Sequence, residues 1–377
     1  MSAPNAVPRP ATDGPAPTLL GLEVMRFLCA LAVLLWHYQH FYVVGPATTA
    51  LVHDPVVQPW SAWLAPFYGH GWLGVQAFWA LSGFIFFWKY GQAAAEGRVA
   101  AGRFAWLRFS RLYPLHLLTL LAMLPLIAWY RAQTGQDYVY AHNTVENFVL
   151  QLFLASDWAG RSEWSFNGPI WSISIEVLAY AVFYLLCRLG WVRPWQIGVV
   201  IVAMGAVYAL KLTAHPLVLC LFFFYLGGLT HAVWHWARQT GDRWQLSFNA
   251  LVLAGLVSST ALAALGLLRP MFYMAALAPL GMLALLAVVH PRSSRTARWL
   301  STLGHTTYAS YLLHFPLQLL VANLSGADPS RLPLHSPWWL LGYLGVTFGL
   351  AVLTYRWFEA PAQRWLRAWS ERGRRSA

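Results

Sequence analysis

Charge is scarce in this chain. Only 10% of its 377 residues are Asp, Glu, Lys or Arg, against about a quarter in soluble domains, and so few cannot keep a folded surface wet. The acidic sign is the scarcer one, with 13 Asp and Glu against 25 Lys and Arg. That imbalance alone would suit a nucleic-acid binder, but no basic module or clustered basic face accompanies it. Cysteine is nearly missing as well. Cys29, Cys187 and Cys220 stand singly in apolar segments, which excludes a disulfide framework or a thiolate metal site and leaves packing as their expected role. No spacing of His, Cys or carboxylates calls for a metal. Nor does the amino-terminus read as a cleaved signal, because the first apolar segment is long, contains Arg26 and His37, and offers no convincing cleavage site.

What is present is apolar and aromatic. Hydrophobic residues make up 58% of the chain, and 22 Trp and 17 Tyr fit side chains placed at membrane interfaces and inside a helix bundle. Apolar runs of about 18 residues or more recur along nearly the whole length, the pattern of a polytopic α-helical membrane protein. The expected fold is all-α, an integral membrane bundle of about ten spans near 19–42, 70–89, 111–130, 169–188, 195–211, 216–237, 247–267, 271–290, 304–323 and 337–358. Residues 1–17, rich in Pro and Ala, are expected to be a disordered tail. Residues 18–361 form the membrane domain, and 362–377 a short basic tail.

With the amino-terminus placed in the cytoplasm, nineteen of the 25 Lys and Arg fall in cytoplasmic connections and five in outer ones, with Arg26 inside a span. This asymmetry supports both termini in the cytoplasm and accounts for the basic balance without nucleic acid. The longest outer connection, 131–168, carries Asp137, Glu146, Asp157 and Glu163. An interfacial or re-entrant segment is expected in it around Asn147–Ser156.

Ionisable residues within spans cost a few kcal/mol each at the centre and therefore mark function. The stretch RFLCALAVLLWH sets Arg26 and His37 on the first span. Eleven residues apart, they lie about 20° from one helix face and about 16 Å apart along the axis. Glu23, three residues before Arg26, can pair with it. A snorkelling arginine and a hydrogen-bonded core histidine would satisfy the same pattern, and His40, one turn on, competes with His37 for any role. Glu176, in the span opening NGPIWSISIE, needs a partner, and a histidine at similar depth would suit it; Ser172 is its i−4 neighbour and Trp171 stands above. Arg103, Arg108 and Arg111 open the third span, ahead of Pro114, as topology signals or as an anion site. Ser82-Gly83 in FWALSGF permits close backbone approach. The ninth span holds Tyr308, Ser310, Tyr311 and His314 before Pro316.

These motifs, in this order, resemble the bacterial acyltransferase 3 family of multi-spanning membrane proteins. Arg26 and His37 match its arginine–ten residues–histidine signature, with Glu23 where an acidic residue often precedes. Phe78 to Phe84 match its Phe-rich segment ending Ser-Gly-Phe, although Gln76-Ala77 and Trp79 depart from it. Arg108, Arg111 and Pro114 match its Arg-x-x-Arg-x-x-Pro pattern, and Trp171 to Glu176 its Trp-Ser-Leu-x-x-Glu motif, with Ile173 for Leu. Tyr308, Tyr311, Leu312, His314 and Pro316 match its Tyr-x-x-Tyr-Leu-x-His-x-Pro run, and Glu359 and Pro361 its Glu-x-Pro. The resemblance runs from about Leu19 to Pro361.

It implies a bacterial inner-membrane enzyme that moves an acyl group, usually acetyl, from cytoplasmic acyl-CoA to a hydroxyl of an extracytoplasmic saccharide or lipid-linked glycan. Acyl-CoA would be the donor substrate, with no tightly bound cofactor. Membrane lipid and a glycan or glycolipid acceptor would be its partners. Under this implication Arg26, Arg108 and Arg111 form the CoA-side path, and His37 is the base or acyl carrier. Glu176 orients or charges the site from the outer side, while Ser82, Trp171, Ser172, Tyr311 and His314 line the substrate path. A transporter of a polar or anionic solute, or a scaffold with structural ions, would also bury charge. The transporter predicts transport without acyl-CoA dependence and preferably an internal repeat, and no repeat is evident in the sequence.

Overall fold

The computed structural model describes residues 19–46, 58–160, 163–240 and 242–375. The expected tail at 1–17 lies outside them, as does Arg161. Among the described residues the chain is helical, in the order α1 (Leu20–His37), α2 (Ser61–His70), α3 (Gly74–Phe86), α4 (Gln92–Ala95), α5 (Ala101–Thr134), α6 (Val145–Leu152), α7 (Ile170–Arg188), α8 (Pro194–Ala209), α9 (Leu217–Ala237), α10 (Asp242–Ala264), α11 (Pro270–Val288), α12 (Ser294–His305), α13 (Thr307–Leu324), α14 (Pro337–Thr354) and α15 (Ala360–Arg375). Pro194, Pro270 and Pro337 open α8, α11 and α14, where a fixed φ and a missing N–H cost nothing. α5 ends on Gly135 at φ 71°, a left-handed turn suited to glycine.

Among the described residues, eight helical segments are long and apolar enough to cross a membrane. Side chains such as Trp63, Leu246 and Val202 stand more than 70% exposed, an apolar outer surface that water would not tolerate at this scale. Two of the expected ten spans fall outside the eight. α8 has 16 residues, and α13 carries Ser310, His314, Gln318 and Asn323 buried along its inner side.

Boundaries differ where local chemistry intervenes. The second expected span belongs to a helical run Ser61–Ala95, and the third to α5, which starts ten residues early and runs through Pro114 and Pro125. The region expected to be re-entrant is a single short helix, α6, capped by Thr144, whose side chain accepts from the Asn147 N–H. The described part of the basic segment expected at 362–377 lies in the helix α15, which packs on α5: Trp106 donates to Leu366 O at 3.2 Å, and Arg367 reaches Ser110 Oγ at 3.4 Å.

Glycines set the closest helix contacts. A Cβ on Gly83 of α3 would collide with the Phe224 carbonyl of α9, and one on Gly227 of α9 with the Ala80 carbonyl of α3. The close approach expected of Ser82-Gly83 is therefore reciprocal, as small residues permit where dispersion drives helix association. Gly304 of α12 sits against Glu23 of α1, and Gly71 and Gly74 against Ala32 and Cys29. The three cysteines are buried singly.

Candidate functional site

α1 is continuous from Glu23 to His37, and each end of it meets a different cluster. At the far end three histidines gather. The His37 ring lies 4.7 Å from that of His314 on α13 and 4.9 Å from that of His40, in the 3-10 turn Tyr38–Tyr42 that follows α1. Their hydrogen bonds fix their tautomers. His37 Nδ1 is 2.9 Å from Val33 O and His314 Nδ1 is 2.6 Å from Tyr311 O. A carbonyl oxygen can only accept, so in both neutral rings Nδ1 carries the proton and Nε2 the lone pair. His314 Nε2 is buried with no partner among the described residues.

Gln318, one turn beyond His314, ties the cluster together. Its Nε2 donates to His37 O at 2.8 Å, and its Oε1 accepts from His40 Nδ1 at 3.1 Å. The His37 carbonyl lies where α1 passes into the 3-10 turn, whose N-cap is His37, and the Gln318 amide is a second donor to it. The connection 131–168 roofs the cluster. Tyr138 donates to His40 O at 2.7 Å, its ring stacks on Phe315, and Tyr140 lies 5.8 Å from His40. Gly168 makes room for the Tyr140 ring, since a Cβ there would collide with it. Pro316 has no N–H for Leu312 O, and Asn167 Nδ2 supplies the missing donor at 3.0 Å.

From this end a chain of polar contacts runs along α7. Tyr311 Oη and Ser172 Oγ are 2.7 Å apart, and both reach Pro169 O. Trp171 packs between Trp79 and Trp164. Glu176 lies one turn past Ser172, beside Ser82 and Tyr180, within electrostatic range of Arg26 and Arg108. The histidine expected to partner Glu176 is not its neighbour. Helix α7 runs on from Ser172 before presenting the carboxylate, which carries it away from His37 and towards the cations.

At the other end of α1, Arg26 pairs with Glu23 at 3.1 Å. Arg108 donates to Tyr90 Oη at 2.7 Å and lies over the rings of Phe86 and Tyr90, 4.8 and 5.0 Å from their centroids, a sandwich that favours a cation. Arg111 pairs with Glu359 and lies over Tyr308. Tyr90 and Glu359 both belong to π-helical turns, Phe87–Gly91 and Tyr355–Glu359. The extra residue in such a turn re-aims the side chains that follow it. Lys89 is within electrostatic range of Glu23 as well as of Arg26, Arg108 and Arg367. Neither Lys89 nor Arg108 has an ion-pair partner among the described residues. The assembly can hold an anion, and Arg supplies the fork that matches phosphate oxygens.

Arg103, by contrast, is exposed on the first turn of α5. Sequence reading missed Gln318, Tyr138, Tyr140, Asn167 and Lys89. For Asn167 the signal was available, since Pro316 within a helix leaves a carbonyl that something must satisfy. For Gln318 and the tyrosines it was not, because their partners are more than ninety residues away in sequence.

Fold and site together define a multi-spanning helical membrane protein with buried histidines at one end of a helix and a cation cluster at the other. Residues 19–356 match a family profile described as an acyltransferase domain, and the chain belongs to that acyltransferase family. It is similar to an acyltransferase MdmB of Streptomyces mycarofaciens, at 29% identity over 177 residues, covering 46% of this chain and 39% of that one. It is also similar to protein 2 in the picA locus of Rhizobium radiobacter, at 30% identity over 112 residues, covering 30% of this chain and 47% of that one. The matched stretches thus span less than half the length of these relatives. No solved structure matches.

Proposed function

We propose that this protein transfers an acyl group, acetyl in the simplest case, from cytoplasmic acyl-CoA to a hydroxyl of an extracytoplasmic saccharide or lipid-linked glycan. It would do so in the bacterial inner membrane with both termini in the cytoplasm. The observation that carries the reading is the division of α1, with cations around Arg26 and an imidazole with an available Nε2 at His37, about 16 Å apart along the axis. That length is comparable to a pantetheine arm, so phosphates held at one end would deliver a thioester to the other.

In this mechanism Arg26, Arg108 and Arg111, with Lys89, hold the phosphates of CoA. His37 Nε2 takes the proton from the acceptor hydroxyl as its oxygen attacks the thioester carbonyl. The C–S bond then breaks, and the proton passes from His37 to the departing CoA thiolate. His314, 4.7 Å from His37, lines the acceptor side with Tyr311, Ser172 and Trp171. Glu176 and Ser82 line the middle of the path, where the carboxylate steadies the cation side.

The test measures ester content of envelope glycans and glycolipids in a deletion strain complemented with wild type, His37→Ala or His40→Ala. His37→Ala is expected to leave the esters absent. Restoration by His37→Ala together with failure by His40→Ala would overturn the assignment of the base. Absence of any ester difference between the deletion and wild-type strains would overturn the acyl-transfer reading.

A further inference from the structure

Three arginines outside the site described above converge on one groove. Helix α12 begins at a sequence-encoded cap, with Ser293 Oγ accepting from the Thr296 N–H at 3.1 Å. At 100° per residue, Arg295, Arg298 and Thr302 fall within about 60° on one face, and Gly304 on the opposite one. Gly304 is the residue pressed against Glu23 of α1, so the arginine face is turned away from the bundle. The His305 ring stacks on Tyr355, 5.7 Å away and 17° from parallel, which locks the π-helical turn of α14 to α12. That turn points Glu359 inward to Arg111 and brings Arg356 to the α12 arginines.

The resulting groove has a volume of about 680 Å³ and is lined by Arg295, Arg298, Arg356, Trp299, Ser301 and Thr302, with no carboxylate among the described residues. None of the three guanidiniums makes a hydrogen bond or ion pair among the described residues, whereas Arg26, Arg111, Arg131 and Arg331 each have a carboxylate. Three uncompensated cations in one concavity focus a potential that attracts an anion. Planar forks and the Ser301 hydroxyl are donors that phosphate oxygens accept, while the Thr302 hydroxyl donates to Arg298 O at 2.8 Å. Trp299 and Trp357 beside them are 57% and 76% exposed, a placement suited to the headgroup level of a bilayer.

We infer that this groove binds the phosphate headgroup of an anionic membrane phospholipid. The inference does not rest on the acyl-transfer reading, since the groove shares none of its arginines with the CoA-side cluster. The test titrates phosphatidylglycerol, against phosphatidylcholine, onto the full chain in detergent and counts bound lipid by native mass spectrometry. At about fivefold per arginine near an anionic lipid, Arg295→Gln/Arg298→Gln/Arg356→Gln is expected to bind phosphatidylglycerol about 100-fold more weakly. The exposed arginines Arg103, Arg193 and Arg364, changed together to Gln, make the same change in charge and should leave binding within about twofold. The triple Arg→Lys variant keeps the charge and loses the fork, so it is expected to fall between wild type and the Gln variant. Equal loss in the control set would overturn the groove in favour of a diffuse basic surface, as would wild-type binding that does not distinguish the two lipids. Displacement of phosphatidylglycerol from wild type by adenosine 3′,5′-bisphosphate would overturn the lipid assignment and give the groove to a nucleotide phosphate.

Discussion

Gln318 holds both histidines in place, and Gln318→Leu removes that hold with little change of volume. The substitution deletes the amide N–H that reaches His37 O at 2.8 Å and the oxygen that accepts from His40 Nδ1 at 3.1 Å. His37 and His40 are 7% and 1% exposed, so bulk water cannot replace either contact. The His37 carbonyl still accepts the first backbone bond of the 3-10 turn, so the His40 Nδ1–H is the group left without a partner, and the variant is destabilised by about 1–3 kcal/mol. The larger effect falls on the chemistry. The His37 peptide loses its anchor where α1 passes into the 3-10 turn, and a displacement of about 1 Å at a reacting group costs on the order of 100-fold in rate. Turnover of acyl transfer in purified protein should therefore fall about 100-fold, with KM for acyl-CoA unchanged, because the cations proposed to hold its phosphates lie about 16 Å away along the helix. Gln318→Glu keeps an acceptor for His40 but sets a buried carboxylate against His37 O in place of the donor, and should also lose rate. Melting in detergent establishes that each variant is folded. A folded Gln318→Leu protein with wild-type kcat, or one whose loss appears wholly in KM, would refute the reasoning.

Three further outcomes follow from the packing and charge. Gly83→Val drives methyl groups into the Phe224 backbone of α9; overpacking of this kind costs about 1–3 kcal/mol or more, and the variant should melt lower while Gly102→Val, at an open position, melts near wild type. Glu359→Gln leaves Arg111 without its carboxylate in a site where Glu359 is 1% exposed, and a loss of about 3 kcal/mol is expected in a denaturation series. Burial pushes the Asp157 carboxyl above its ordinary 3.8, against the opposing pull of Ser156 and His215. A raised folded value means that its stabilising contribution is complete below the unfolded value and is lost as pH rises through the folded one. The melting temperature of Asp157→Asn should therefore gain on wild type as pH rises from 4 towards 7, and a gap that is constant with pH would contradict this.

Much of the site could be read in the chain because helical periodicity translates spacing directly into geometry. Arg26, Glu23 and His37 share a helix, so their pairing and separation followed from residue count alone. The close approach at Gly83 likewise followed from a missing side chain. Glu176 was legible as an expensive carboxylate but not as a neighbour of Ser82, Tyr180 and the cations, because its position along the path depends on how α7 docks against α3 and α5. The carboxy-terminal segment reads as a short basic tail; its docking through Trp106 and Arg367 against α5 depends on contacts with residues some 260 positions away.

The sequence by itself determined the solvent, the helical class and the identities of the polar residues worth their cost in a membrane. These follow from composition and from the 3.6-residue repeat, which are local properties of the chain. The tertiary structure decided which of those residues meet. It brought His314 and Gln318 of α13 to His37, folded Tyr138 over His40, turned Glu359 to Arg111 and gathered Arg356 with Arg295 and Arg298. Each of these contacts joins segments far apart in sequence, so it depends on how the helices dock and on where the π-helical turns fall, not on the spacing within any one helix.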